Sequence, residues 1–165
     1  MISALCMFLV GVFAVWVGAQ AVVRGELDFR RRRRLTSRYT GPAAQLIGLN
    51  FVLFGLVIMV TAVAGYCARA EFDAFWSSPH GHAAGKMLVA VAAALYGGAL
   101  LAGGSYMSPQ SWFRVPRRVL RGVWGALLLL VSLCVMFVCA AELIAPGWLA
   151  EVHHPLLELY RRWLG

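Results

Sequence analysis

YTGPAAQLIGLNFVLFGLVIMVTAVAGYCA, residues 39–68, contains no charged side chain. A helix rises about 1.5 Å per residue and the hydrocarbon core of a bilayer is about 30 Å thick, so about 20 apolar residues cross it. This stretch is longer than that and predicts a helix that tilts or extends beyond the lipid. Gly41-Pro42 marks its start, because proline suits the first helical turn, where its missing N–H is not needed.

Working outward, the segment before it is as charged as this one is bare. Between Arg24 and Arg38 stand seven arginines, including the run Arg30 to Arg34, against only Glu26 and Asp28, a local sum of +5. Ahead of that lies a second apolar run, Ile2 to Val23. Ala19-Gln20-Ala21 offers a small-x-small cleavage site, yet no basic residue precedes the run and the arginines follow it. A secretory signal carries its positive charge on the N-terminal side, so the run reads as a retained helix.

After Ala68 comes a polar connection, Arg69 to Lys86, whose two basic and two acidic residues cancel. Phe72, Phe75 and Trp76 have helical spacing and predict a short ring-bearing turn at the interface. Pro79, Gly81 and Gly85 argue for an irregular approach to the next span. That span, about 87–104, is rich in alanine and glycine and is the least hydrophobic of the set; its continuation is broken by Gly-Gly, Ser-Tyr and Pro109. Arg114, Arg117, Arg118 and Arg121 follow with no acid, a sum of +4. A last span, about 122–144, ends at Pro146-Gly147. In residues 146–165, Leu156, Leu159, Tyr160, Trp163 and Leu164 share one helical face opposite Glu158, Arg161 and Arg162, which predicts an amphipathic tail lying in an interface.

The chain therefore reads as an all-α integral membrane protein. It has one membrane domain, 1–145, with spans at about 2–23, 43–68, 87–104 and 122–144. These form either a four-transmembrane-helix bundle or a sheet-free helical array with short interfacial amphipathic segments. Composition agrees: 61% of the 165 residues are hydrophobic and 13% charged, against roughly 25% charged in soluble domains. The net charge of +8 would suggest nucleic acid in a soluble protein. Here the arginines sit between apolar spans with no aromatic platform or recognition helix, so topology and anionic lipid headgroups account for them. The positive-inside rule places the +5 and +4 connections in the cytoplasm and both termini outside. The ratio of fourteen arginines to one lysine fits a GC-rich bacterial genome, hence a multi-pass protein of a bacterial inner membrane.

Functional signatures are few. HExxH, P-loop and GxSxG patterns are absent, and no histidine accompanies Ser105 and Ser108, so no enzyme is expected. Cys6, Cys67, Cys134 and Cys139 form no CxxC pair and read as small buried hydrophobes. His80, His82, His153 and His154 share the outer side, where copper, zinc or a redox cofactor could be ligated with help from Asp73 or Glu151. Their spacing matches no specific metal motif, and no site residue is assigned. No charge stands at the middle of a span, which argues against a solitary transporter; Glu142 lies near the outer boundary, and Asn50 is expected to hydrogen-bond a neighbouring helix. Small residues four apart, Ala44/Gly48 and Thr61/Gly65, then Ala93/Gly97, Ala94/Gly98, Gly98/Ala102 and Ala99/Gly103, predict close helix packing. The expected function is an accessory or assembly subunit that packs against other integral membrane proteins. The alternatives are a small homo-oligomeric channel or transporter and an outer-side metal-binding protein.

Overall fold

Gly25 and Gly41 frame the first connection, both with positive φ (63° and 62°), and the Gly41 N–H donates to the Gly25 carbonyl at 2.7 Å. In the computed structural model, which describes residues 2–31, 34–103, 105–106 and 114–145, these two glycines turn the chain out of one helix and back into the next. Between them lie strands rather than an irregular loop. The elements in chain order are α1 (Ile2–Arg24), β1 (Glu26–Arg31), β2 (Arg34–Thr40), α2 (Pro42–Cys67), α3 (Arg69–Ser77), α4 (Pro79–Ala102), β3 (Ser105–Tyr106) and α5 (Arg114–Ile144). Four helices are long and apolar enough to cross a membrane: Ser3–Arg24, Pro42–Cys67, Pro79–Ala102 and Val119–Ile144.

The sheet corrects the expectation of a sheet-free array. β1 pairs antiparallel with β2, Leu27 opposite Tyr39, and the register shifts between Phe29 and Arg30; β2 then pairs antiparallel with β3 through Arg38–Tyr106 and Tyr39–Ser105. Leu27 is buried and Tyr39 packs beside it against Ala21, Ala43, Ala44, Ile47 and Ala99. The strands form because Leu27 has an apolar seat on the helix ends while its neighbours Glu26 and Asp28 stay exposed, the inside–outside alternation of a half-buried strand.

Each long helical hairpin is closed by small residues facing each other across an antiparallel seam. A Cβ placed on Gly18 would stand 2.5 Å from the Gly48 carbonyl oxygen, and one on Gly48 would stand 2.7 Å from that of Gly18. Gly11 and Gly55 repeat the arrangement at 2.8 and 2.6 Å, and in the second hairpin Gly97 and Gly125 do so at 2.9 Å each way. Carrying this second register one heptad along each helix brings buried Ala90 level with buried Ser132, and a further heptad brings Ala83 level with Cys139. A small residue every seventh position keeps one stripe of each helix on the seam, so the backbones touch along its length.

The two hairpins meet along a much thinner seam between α2 and α4, and among the described residues α1 and α5 do not pack on each other. The helices thus stand in the row α1–α2–α4–α5, an open array. Leu46 reaches to within 3.3 Å of a Cβ placed on Gly98. Asn50 Nδ2 donates to the Ala92 carbonyl at 3.2 Å, which meets the expectation for Asn50.

Two boundaries also move. α4 begins at Pro79 rather than near residue 87, so Pro79, Gly81 and Gly85 lie inside a helix and not in an irregular approach. Ser78 caps it: its Oγ accepts from the Gly81 N–H at 3.1 Å and donates to the Phe75 carbonyl at 2.6 Å. The glycines serve packing, since a Cβ on Gly81 would collide with the Phe75 carbonyl and one on Gly85 would stand 2.9 Å from the Trp76 ring. α5 begins at Arg114 instead of 122. Its Pro116 falls in the first turn, where no intrahelical N–H bond is lost. Residues 146–165, with the proposed amphipathic tail, lie outside the described residues.

Candidate functional site

Two regions concentrate chemistry, one at each end of the helical row. At the sheet end, β2–β3 pairing draws the first and third connections together, so both arginine-rich segments belong to the same end of the molecule. Tyr39 is half-buried there. Burial raises its pKa, the Tyr96 phenol adds to the rise, and the Arg121 guanidinium opposes it.

The opposite end is built from α3, α4 and α5. α3 folds back on α4, and its rings lock edge to face: Phe72 to Trp76 at 5.9 Å and 71°, Phe75 to Trp76 at 5.5 Å and 76°. The ring cluster expected from the sequence therefore forms, as part of a helix of nine residues. Beneath Trp76 a groove of about 610 Å³ runs between α4 and α5. Its walls are Val89, Ala93, Leu128, Val131 and Val135, and its α3 end carries Trp76, His82 and Lys86. The Trp76 Nε1 is buried without a hydrogen-bond acceptor among the described residues. The His82 Nδ1 lies 2.9 Å from the Ser78 carbonyl, four residues before Lys86 on the same helix. Sequence reasoning passed over this groove. Its one advance signal was Lys86, the single lysine of the chain, standing at the edge of an alanine-rich span.

The other residues singled out from the sequence are scattered. His80 and His82 are exposed on the first turn of α4, and Asp73 pairs with Arg69 at 3.8 Å across exposed solvent. Glu151, His153 and His154 lie outside the described residues, and among the described residues no three His, Cys, Asp or Glu side chains gather as metal ligands would. Glu142 is half-buried near the end of α5.

The cysteine expectation needs correction. Cys139 is buried on the α4/α5 seam, whereas Cys6, Cys67 and Cys134 are exposed, because a row of helices leaves faces without a protein neighbour. Of the small pairs, Gly48 and Gly97 lie on hairpin seams and Gly98 on the α2/α4 seam. A Cβ on Gly65 would meet nothing within 4 Å, and Gly103 is a left-handed helix cap at φ 69°. Comparison with protein-family models, with curated proteins and with solved structures finds no match for this chain.

Proposed function

We propose that the chain is a four-pass protein of a bacterial inner membrane that works as a non-catalytic accessory or assembly subunit, holding a position among other integral membrane proteins. The observation that carries this reading is the open row. Each hairpin is sealed internally by its glycine register, yet the row leaves large side chains such as Phe13, Trp16, Trp124 and Phe137 exposed. A patch of this size on a soluble monomer would aggregate, whereas in a bilayer it meets lipid or neighbouring helices. An open row of four helices encloses no axial path, which favours assembly over conduction by a single copy.

In this reading the sheet and both arginine-rich connections face the cytoplasm and its anionic headgroups, and the α3 end faces outward. Affinity purification of the chain from its native membrane after gentle extraction is the test. The expected result is a stoichiometric complex with at least one different membrane protein. A stable monomer or homo-oligomer that moves ions across reconstituted vesicles would reverse it in favour of the channel alternative.

A further inference from the structure

We propose that the groove between α4 and α5 is a binding site for one anionic phospholipid, with an acyl chain along the valine and leucine walls and the headgroup phosphate at Lys86. The inference rests on the four-pass reading and goes beyond it. Three features select this occupant. The groove is almost wholly apolar along its length, so in a bilayer it fills with hydrocarbon and not with water. Its one cation, Lys86, stands toward the α3 end beside Trp76 and His82, and Ser132 adds a hydroxyl on the α5 wall. A phosphate oxygen accepts from the Lys86 ammonium, a compact point charge suited to it. Lys86 also sits at a fitting depth. Seven residues into α4 is roughly 10 Å along its axis, from which a lysine stem reaches the headgroup layer.

A partner helix is the weaker occupant. At about 610 Å³ the groove is in the range of small-ligand sites, and a helix is about 10 Å across and needs an unobstructed track. Here Trp76 stacked over Gly85 closes one end. No acidic side chain among the described residues pairs with Lys86, so its charge is open to a ligand.

The test uses the purified full chain in nanodiscs of equimolar phosphatidylglycerol and phosphatidylcholine, with retained lipid counted by native mass spectrometry. The expected result is retention of phosphatidylglycerol over phosphatidylcholine. Lys86→Gln should lower that preference about five-fold while leaving phosphatidylcholine retention unchanged. Val131→Trp with Val135→Trp, at two exposed wall positions, should abolish retention of both, and Arg69→Gln, outside the groove, should change neither. A phosphatidylglycerol carrying a photoreactive acyl chain should label peptides containing Val89 and Val131. Unchanged preference in Lys86→Gln, unchanged retention in the filled groove, or labelling confined to α1 and α2 would each overturn the site. So would a cysteine at Val131 that crosslinks to another protein in native membranes. The measurement needs no partner protein: a chain that inserts into nanodiscs yet shows no preference refutes the lipid site and leaves the four-pass subunit reading intact.

Discussion

At the scale of the residue, the glycines of this chain divide by what a methyl group would meet. On Gly18 it would meet the Gly48 backbone, which cannot move without parting the helices, whereas on Gly65 it would meet nothing within 4 Å. Gly18→Leu should therefore destabilise the α1/α2 hairpin by about 1–3 kcal/mol, the usual cost of overpacking. Gly65→Ala should be neutral or stabilise by about 0.5–1 kcal/mol through helix propensity. Thermal unfolding in detergent, followed by circular dichroism, compares the two, and equal losses would refute the seam. Asn50→Leu keeps the branched, four-heavy-atom shape of the side chain but removes the bond to the Ala92 carbonyl, a loss of about 0.6 kcal/mol for an average interhelical bond in lipid. These contacts were only partly legible beforehand. A spacing of four within one helix ranks Gly65 and Gly103 with Gly48. The working period is seven and belongs to two helices at once, so it emerges only when α1 is laid antiparallel on α2.

At the scale of the element, charge hid structure. Seven arginines between Arg24 and Arg38 made the first connection read as a charged link set by topology and lipid headgroups, although Leu27, Phe29 and Tyr39 carry the period-two pattern of strands. Its folding depends on the Leu27–Tyr39 pair seated on the helix ends, a tertiary contact that no local propensity contains. Tyr39 reports on that seat. Its folded pKa is raised by burial first, so the neutral phenol's contribution is complete below the unfolded value of about 10 and is lost as pH rises through the higher folded value. Tyrosinate absorbance during alkaline titration should show a late-ionising phenol that Tyr39→Phe removes; an unchanged curve would mean that the ring is not buried. The α3–α4 junction teaches the same lesson. Pro79, Gly81 and Gly85 looked like breakers, but with Ser78 capping the helix and α3 lying on it they are its first turns. Ser78→Ala should cost about 1 kcal/mol and raise amide exchange over residues 79–85, with the rest of α4 unaffected.

For the whole molecule, the four apolar helices were legible because length and missing charge are one-dimensional properties of the sequence. The row they form was not, because it depends on which seams are thick. The α1/α2 and α4/α5 seams are extensive and joined by backbone-to-backbone contact, whereas α2 and α4 share a short patch around Ala43, Ala44, Ile47 and Ala99 and the single Asn50 bond. Tertiary stability in lipid comes from packing and not from a hydrophobic drive, so each hairpin should behave as a rigid unit and the join between them as the compliant part. Pulsed electron–electron distance measurements can resolve this in a variant lacking the four cysteines. Spin labels at Val12 and Val60 span the first hairpin, labels at Val89 and Leu133 the second, and labels at Val12 and Leu133 cross the join; all are exposed positions. The expected distributions are narrow for both hairpin pairs and broad for the crossing pair in the isolated chain. In native membranes, where a subunit partner would brace the row, the crossing pair should narrow while the other two stay unchanged. A crossing distribution already as narrow as the others in the isolated chain would mean that the α2/α4 seam suffices alone, which removes the mechanical reason for a partner. A crossing distribution that stays broad in the native membrane would count against the assembly role itself.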